Sequence, residues 1–244
     1  MTDAFTGTPD TAARKAGVLL LLTALTTVVA VVGRVAAGAD QPTLAESLSA
    51  IANNSGLYGA GGIGRFISGI TLIAGAVFLL RTWIIRERLG TPLVPFFFVA
   101  SGIFTALSGA CAVAIAASAP ELADTVDASI PGSIEVTAFL RWVTGKIGFS
   151  AAGFALIVAA RYQWKVGGTL RRISPITAVQ GIAMQFIWLN SATFAHPFIG
   201  AIFFAWLLAI GGMLATGRVE RHFRDMLGSA SRNADANANL RAMD

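Results

Sequence analysis

Charge is what this sequence has least of. Of its 244 residues, 13% are Asp, Glu, Lys or Arg, against roughly 25% in an ordinary soluble domain. Hydrophobic residues make up 55%. A soluble chain of this size cannot cover its surface with so few charges, and a disordered chain is not this apolar. Cysteine is almost absent. The single Cys111 excludes a disulfide within the chain and any CxxC metal or redox motif; deep in an apolar run, it reads as a small buried residue. Histidine is nearly as scarce. His196 and His222 are the two, and they fall on opposite sides of the membrane in the topology below, so they cannot ligate one haem from both faces. HExxH, GxSxG and P-loop patterns do not occur. Gly61-Gly62-Ile63-Gly64 lies inside an apolar run with no strand before it and is not a dinucleotide fingerprint. The motifs therefore supply no catalytic residue, metal site or cofactor.

What is present is a series of six long apolar stretches. They run from Ala16 to Ala37, Leu57 to Leu80, Pro92 to Ser118, Val136 to Ala160, Ile173 to Asn190 and Phe198 to Thr216. Crossing hydrocarbon takes about 20 helical residues. Barrel strands of about 9–11 residues are far shorter than these runs. The first stretch follows Arg14-Lys15 but exceeds the apolar core of a signal peptide, usually about 7–15 residues, and reads as a retained span. The sequence thus predicts an all-α, polytopic transmembrane bundle of six helices. Residues 1–13 form a cytoplasmic tail, 14–217 the membrane domain, and 218–244 a cytoplasmic segment that begins as helix and ends disordered. Between the first two spans, Thr43 and Glu46 fit a capping box, and Leu44, Leu48 and Ile51 share one face. This predicts a short amphipathic helix ending near Asn53-Asn54. It lies either on the membrane surface or against the bundle.

The formal net charge is +5. In a soluble protein that surplus would suggest nucleic acid; here it reports orientation. With both termini in the cytoplasm, the inner segments hold Arg14 and Lys15; Arg81, Arg86 and Arg88; Arg161, Lys165, Arg171 and Arg172; and Arg218, Arg221, Arg224, Arg232 and Arg241. The outer half keeps only Arg34, Arg65, Arg141 and Lys146 as bases, together with Asp40, Glu46, Glu121, Asp124, Asp127 and Glu135. Every inner loop is basic and both longer outer loops are acidic, as the positive-inside rule requires. The expected location is a bacterial-type cytoplasmic membrane.

Three of those outer bases stand within spans. Arg65 and Lys146 each lie about eight residues, or roughly 12 Å, below the outer helix ends, with Arg141 nearer the surface. No Asp or Glu sits within an apolar core to pair with them. A basic group in hydrocarbon costs about 2.5–3.5 kcal/mol even on an insertion scale. Two readings follow. The side chains snorkel or reach loop acids, or they line a cationic pocket for a lipid or a quinone-like amphiphile. Trp142, Gln185, Trp188, Asn190 and His196 reach similar or shallower depth and join Arg65, Arg141 and Lys146 as candidate ligand-binding residues. Trp142 lies four residues before Lys146, a spacing that suits a cation–π contact. Ala60, Gly64 and Ser68 form a small-residue stripe. With Phe96, Phe97 and Phe98 they are the candidate contacts for another membrane subunit.

The opening Arg14-Lys15-Ala16-Gly17, the long first outer segment with its short helix, Arg65 early in the second span, the exit at Arg81, and the linker from Gly167-Gly168-Thr169-Leu170 to Ser174-Pro175 resemble a bacterial six-span family, "domain of unknown function 4386". The resemblance covers about residues 12–217. It implies topology and no activity, since the family has no established one; the third span departs from it in lacking an early basic residue. The functional expectation is a non-enzymatic membrane protein whose partners are the bilayer and other membrane components, not nucleic acid. It holds an anionic lipid or quinone-like ligand, or alternatively serves as an accessory subunit of a larger energy-converting complex.

Overall fold

The computed structural model describes residues 10–122, 130–189 and 195–228. These residues form helices and no strand. In chain order the helices are α1 (Thr11–Ala36), α2 (Leu44–Asn53), α3 (Ser55–Leu80), α4 (Trp83–Arg86), α5 (Leu93–Leu122), α6 (Gly132–Val166), α7 (Gly168–Ala183) and α8 (His196–Ala215). A terminal helix, α9, covers residues 218–228. Five of them, α1, α3, α5, α6 and α8, are long and apolar enough to cross a membrane. The chain is an all-helical integral membrane protein by that measure.

Side-chain caps start the first two helices. Asp10 accepts from the backbone N–H of Ala12 and Ala13 and starts α1. Thr43 and Glu46 form the expected capping box at the start of α2, satisfying otherwise orphan N–H groups. Leu48 and Ile51 of α2 are buried with Tyr58, Ala112, Ile115 and Ala116. The amphipathic helix therefore turns its apolar face onto α3 and α5, which decides between its two expected positions in favour of the bundle. The α6–α7 connection is tighter than the sequence suggests. Helix α6 continues to Val166 and α7 begins at Gly168, because Gly167 (φ 84°) and Gly168 (φ 56°) reverse the chain in a region that side chains disfavour.

The long helices pack in sequence around the bundle: α8 against α1, α1 against α3, α3 against α5, α5 against α6, α6 against α7. The close contacts are made by glycines. Gly17 of α1 abuts the backbone of Gly211 and Ala215 of α8, Gly33 abuts Gly61, and Gly153 abuts Gly181. Small residues let helix backbones approach where lipid removes the hydrophobic drive to associate. Gly64 and Ser68 belong to this set. Gly64 faces the α1 backbone at Thr26 and Ala30, and Ser68 Oγ meets Thr27 Oγ1 at 2.8 Å. The α3 stripe is therefore used within the chain, and its third member, Ala60, is exposed.

Inside the ring, Leu20, Leu72, Phe98, Leu156, Met184, Trp206 and Leu207 form one core. Phe98 is 1% exposed and packs on Trp206 at 6.0 Å between ring centroids. This corrects the expectation of a three-phenylalanine contact patch. Successive helical residues diverge by about 100°, so Phe98 turns inward, Phe97 packs on Phe154, and Phe96, at 63% exposure, alone stands fully on the surface.

The described ends of the chain meet. Asp10 N–H donates to Glu220 Oε1 at 2.9 Å, and Trp83 N–H donates to Asp10 Oδ2 at 2.9 Å. Asp10 thus ties α1, α4 and α9 together at what we term the proximal end. Glu220 is 3% exposed, and burial pushes its carboxyl above the usual range. His222 Nε2 accepts from Thr169 N–H at 3.0 Å and holds α9 to the start of α7.

The packing makes a direct prediction. A Cβ on Gly69 would lie 2.5 Å from Ala106 N and Gly102 O, whereas none of the neighbouring atoms comes within 4 Å of one on Gly200. Gly69→Ala is expected to lower thermal stability in detergent by about 1–3 kcal/mol, the usual cost of overpacking. Gly200→Ala should leave it unchanged or slightly higher. Equal melting of the two variants would contradict the close-contact account.

Candidate functional site

The residues singled out by the sequence fall into two groups at the distal end, the end away from Asp10. The first is a cluster of arginines. Arg65 is the eleventh residue of α3 and Arg141 the tenth of α6. Both are half-buried. The guanidinium of Arg65 crosses toward α6 and lies against Gly145, whose missing side chain makes the room: a Cβ there would be 2.7 Å from Arg65 Nη2. Arg141 stands over the Tyr58 ring at 6.0 Å. Arg34, at the end of α1, belongs to the same electrostatic neighbourhood as Arg65 and Arg141.

The cluster carries three positive charges, and Arg34 forms an ion pair with Asp40. The Nε atoms of Arg34, Arg65 and Arg141 are all buried without a hydrogen-bond partner. A buried guanidinium donor left unmade is costly, and like charges in one apolar site add to the cost. Ser108 Oγ, between the two arginines' helices, donates to the Arg141 carbonyl at 2.8 Å.

The second group surrounds Lys146, which is 9% exposed. Its ammonium lies 4.0 Å from the Trp142 ring centroid and 5.7 Å from that of Trp188. The expected contact with Trp142 is present, and the short 3-10 helix after α7 (Met184–Trp188) brings the second tryptophan. Gln185 of that segment is engaged in packing. Its side chain bonds Ser150 Oγ, and its Nε2 donates to the carbonyls of Ser150 and Gly181 at 3.1 and 3.2 Å. His196 Nε2 lies 3.4 Å from the Phe186 carbonyl. Asn190, Asp124 and Asp127 lie outside the described residues.

The structure thus gathers Arg65 with Arg141 on one side of α6, and Lys146 with Trp142, Trp188 and Gln185 on the side facing α7. Among the described residues the arginines and Lys146 lie at different faces of α6. Residues 141 and 145 are one turn apart and share the face toward α3 and α5, while residue 146 is rotated about 100° from 145. Arg34, Tyr58 and Gly145 are the members of the arginine cluster that the candidate set omits. Tyr58 precedes Arg65 by seven residues, and Gly145 follows Arg141 by four, so helical spacing carries a signal for both. Nothing local marks Arg34, whose place depends on how α1 packs on α3.

No protein-family model, curated protein or solved structure matches the chain.

Proposed function

We propose that this protein is a six-span membrane protein that binds the anionic headgroup of an amphiphile, a phospholipid above all, at the Arg34–Arg65–Arg141 cluster in the outer half of the bundle. The observation that carries this reading is the pair of buried, unpartnered Nε donors on Arg65 of α3 and Arg141 of α6, the helices on either side of α5. A headgroup phosphate accepts from several donors at once and offsets their charge, and arginine suits such planar recognition. Tyr58 and the small residues around Gly145 leave the approach apolar enough to strengthen the contact. A neutral quinone carbonyl would accept a hydrogen bond and leave the charge uncompensated.

The topology that puts this cluster in the outer leaflet has two supports. The contact between Asp10 and Glu220 brings both described ends to one face, which calls for an even number of crossings. The sixth crossing is the composite of α7 and the following 3-10 segment. Its 16 and 5 residues rise about 34 Å in total; past the cytoplasmic Arg171 and Arg172 the apolar part rises about 26 Å, a short crossing that the roughly 30 Å hydrocarbon layer meets by local thinning. The basic residues crowd the proximal end, which the positive-inside rule assigns to the cytoplasm of a bacterial-type membrane. Cysteine labelling checks this. With Cys111 replaced by serine, Ser133→Cys should react with an impermeant maleimide on intact cells, and Glu87→Cys only after lysis. The reverse pattern contradicts the orientation.

Retained lipid tests the function. Protein purified in mild detergent, stripped and re-equilibrated with phosphatidylglycerol or phosphatidylcholine vesicles, is examined by native mass spectrometry. Wild type should retain phosphatidylglycerol preferentially. Arg65→Gln with Arg141→Gln should lower that retention about tenfold or more, with phosphatidylcholine unaffected. Equal phosphatidylglycerol retention in the folded double variant would overturn the proposal.

A further inference from the structure

At the proximal end, opposite the arginine cluster, the bundle forms a partly open cavity of about 160 Å³. Its wall includes Leu20, Val94 and Ala159; Phe98 and Trp206 line it as aromatic faces; Val219 and Phe223 of α9 close it from the chain end. None of the residues lining it is charged. Thr82, Thr91, Tyr162 and Gln163 are its polar members. Thr82 Oγ1 donates to the Leu79 carbonyl and Thr91 Oγ1 accepts from Leu93 N–H, and Gln163, in the last turns of α6, differs from them. It is 8% exposed, it lines the cavity, and its Oε1 is buried with no hydrogen-bond partner. The Trp206 N–H, by contrast, is already committed to Thr177 Oγ1 at 3.0 Å.

Ligand sites have this composition: apolar walls with a few placed polar groups. Buried polar side chains are nearly always bonded, and the exceptions call for an explanation. A cavity of about 150 Å³ admits a benzene-sized molecule. The absence of charge in the wall selects a neutral guest. The carbonyl oxygen of Gln163 selects a guest with a donor, and the faces of Phe98 and Trp206 suit a ring. We propose that this cavity is a second binding site, for a neutral ring-containing molecule that carries a hydroxyl. The ring lies against Phe98 and Trp206, and the hydroxyl donates to Gln163 Oε1. The floor of the site is α9, held by Glu220 on Asp10 and by His222 on Thr169, so an occupied site favours the docked tail helix. This inference is independent of the arginine cluster, which lies at the other end and takes an anion.

Two probes that differ by one hydroxyl test it: 4-bromophenol and bromobenzene, whose bromine quenches tryptophan fluorescence. They are titrated into the full-length protein in detergent at fixed micelle concentration. Wild type should show saturable quenching by both, with 4-bromophenol about fivefold tighter, the usual worth of one hydrogen bond. Gln163→Leu should remove that preference and keep bromobenzene binding. Ala159→Leu fills the cavity one turn from Gln163 and should abolish saturable quenching by both. Trp206→Phe removes the indole ring that lines the cavity and should weaken the quenching, with Trp83, packed on Phe223, left as the second reporter. Absence of saturable quenching in wild type overturns the proposal. So does a phenol preference that survives Gln163→Leu, or quenching unchanged in folded Ala159→Leu.

Discussion

Helices surrounded by hydrocarbon gain little by burying one leucine against another, since lipid tails are equally apolar. Association must come from close backbone contact, and this bundle depends on it at nearly every interface. Gly17 with Gly211, Gly33 with Gly61, Gly69 with Gly102, Gly148 with Ser101 and Thr105, and Gly153 with Gly181 link α8, α1, α3, α5, α6 and α7 in succession. The same economy of side chains shapes the candidate site. Gly145 belongs to the small-residue face of α6, and the space it leaves is where the Arg65 guanidinium rests. The packing that holds the helices together also opens the one region at the distal end where cationic groups gather within the bundle.

The two ends of the bundle solve the problem of buried polarity differently. At the proximal end the charged group is bonded, since Asp10 serves Ala12, Ala13, Trp83 and, through its own N–H, Glu220, and the unmet atoms include the neutral Trp83 Nε1 and Gln163 Oε1. At the distal end the positive charges of Arg34, Arg65 and Arg141 face Asp40, and their Nε donors stay unmet. Lys146 differs from them, because two tryptophan faces receive its charge. That contrast is why the anion site is assigned to the arginines and not to the lysine.

Much of this was legible in the sequence because it rests on local rules. The capping box at Thr43 and Glu46 placed α2, and the apolar runs placed the long helices. The spacing of Trp142 and Lys146 marked their contact. What was not legible depends on which helix face meets which neighbour. Phe96, Phe97 and Phe98 look alike in a row, yet one is core and one is surface, because successive residues point in different directions. Gly64 and Ser68 looked available to a partner, but α1 already occupies them. Arg141 and Lys146 seemed to share a pocket from their depth alone, and rotation about the α6 axis separates them. Arg34 joins the cluster only through the α1–α3 contact. Gln163 carries no motif; its importance is visible once the cavity and the unpaired carbonyl are seen together.

The most direct test of the central claim is an experimental structure in nanodiscs containing phosphatidylglycerol. The account predicts a headgroup phosphate within hydrogen-bonding distance of Arg65 and Arg141, with Arg65 still crossing to Gly145. Guanidinium groups turned outward to the bilayer surface, with no anion between them in that lipid, would contradict it.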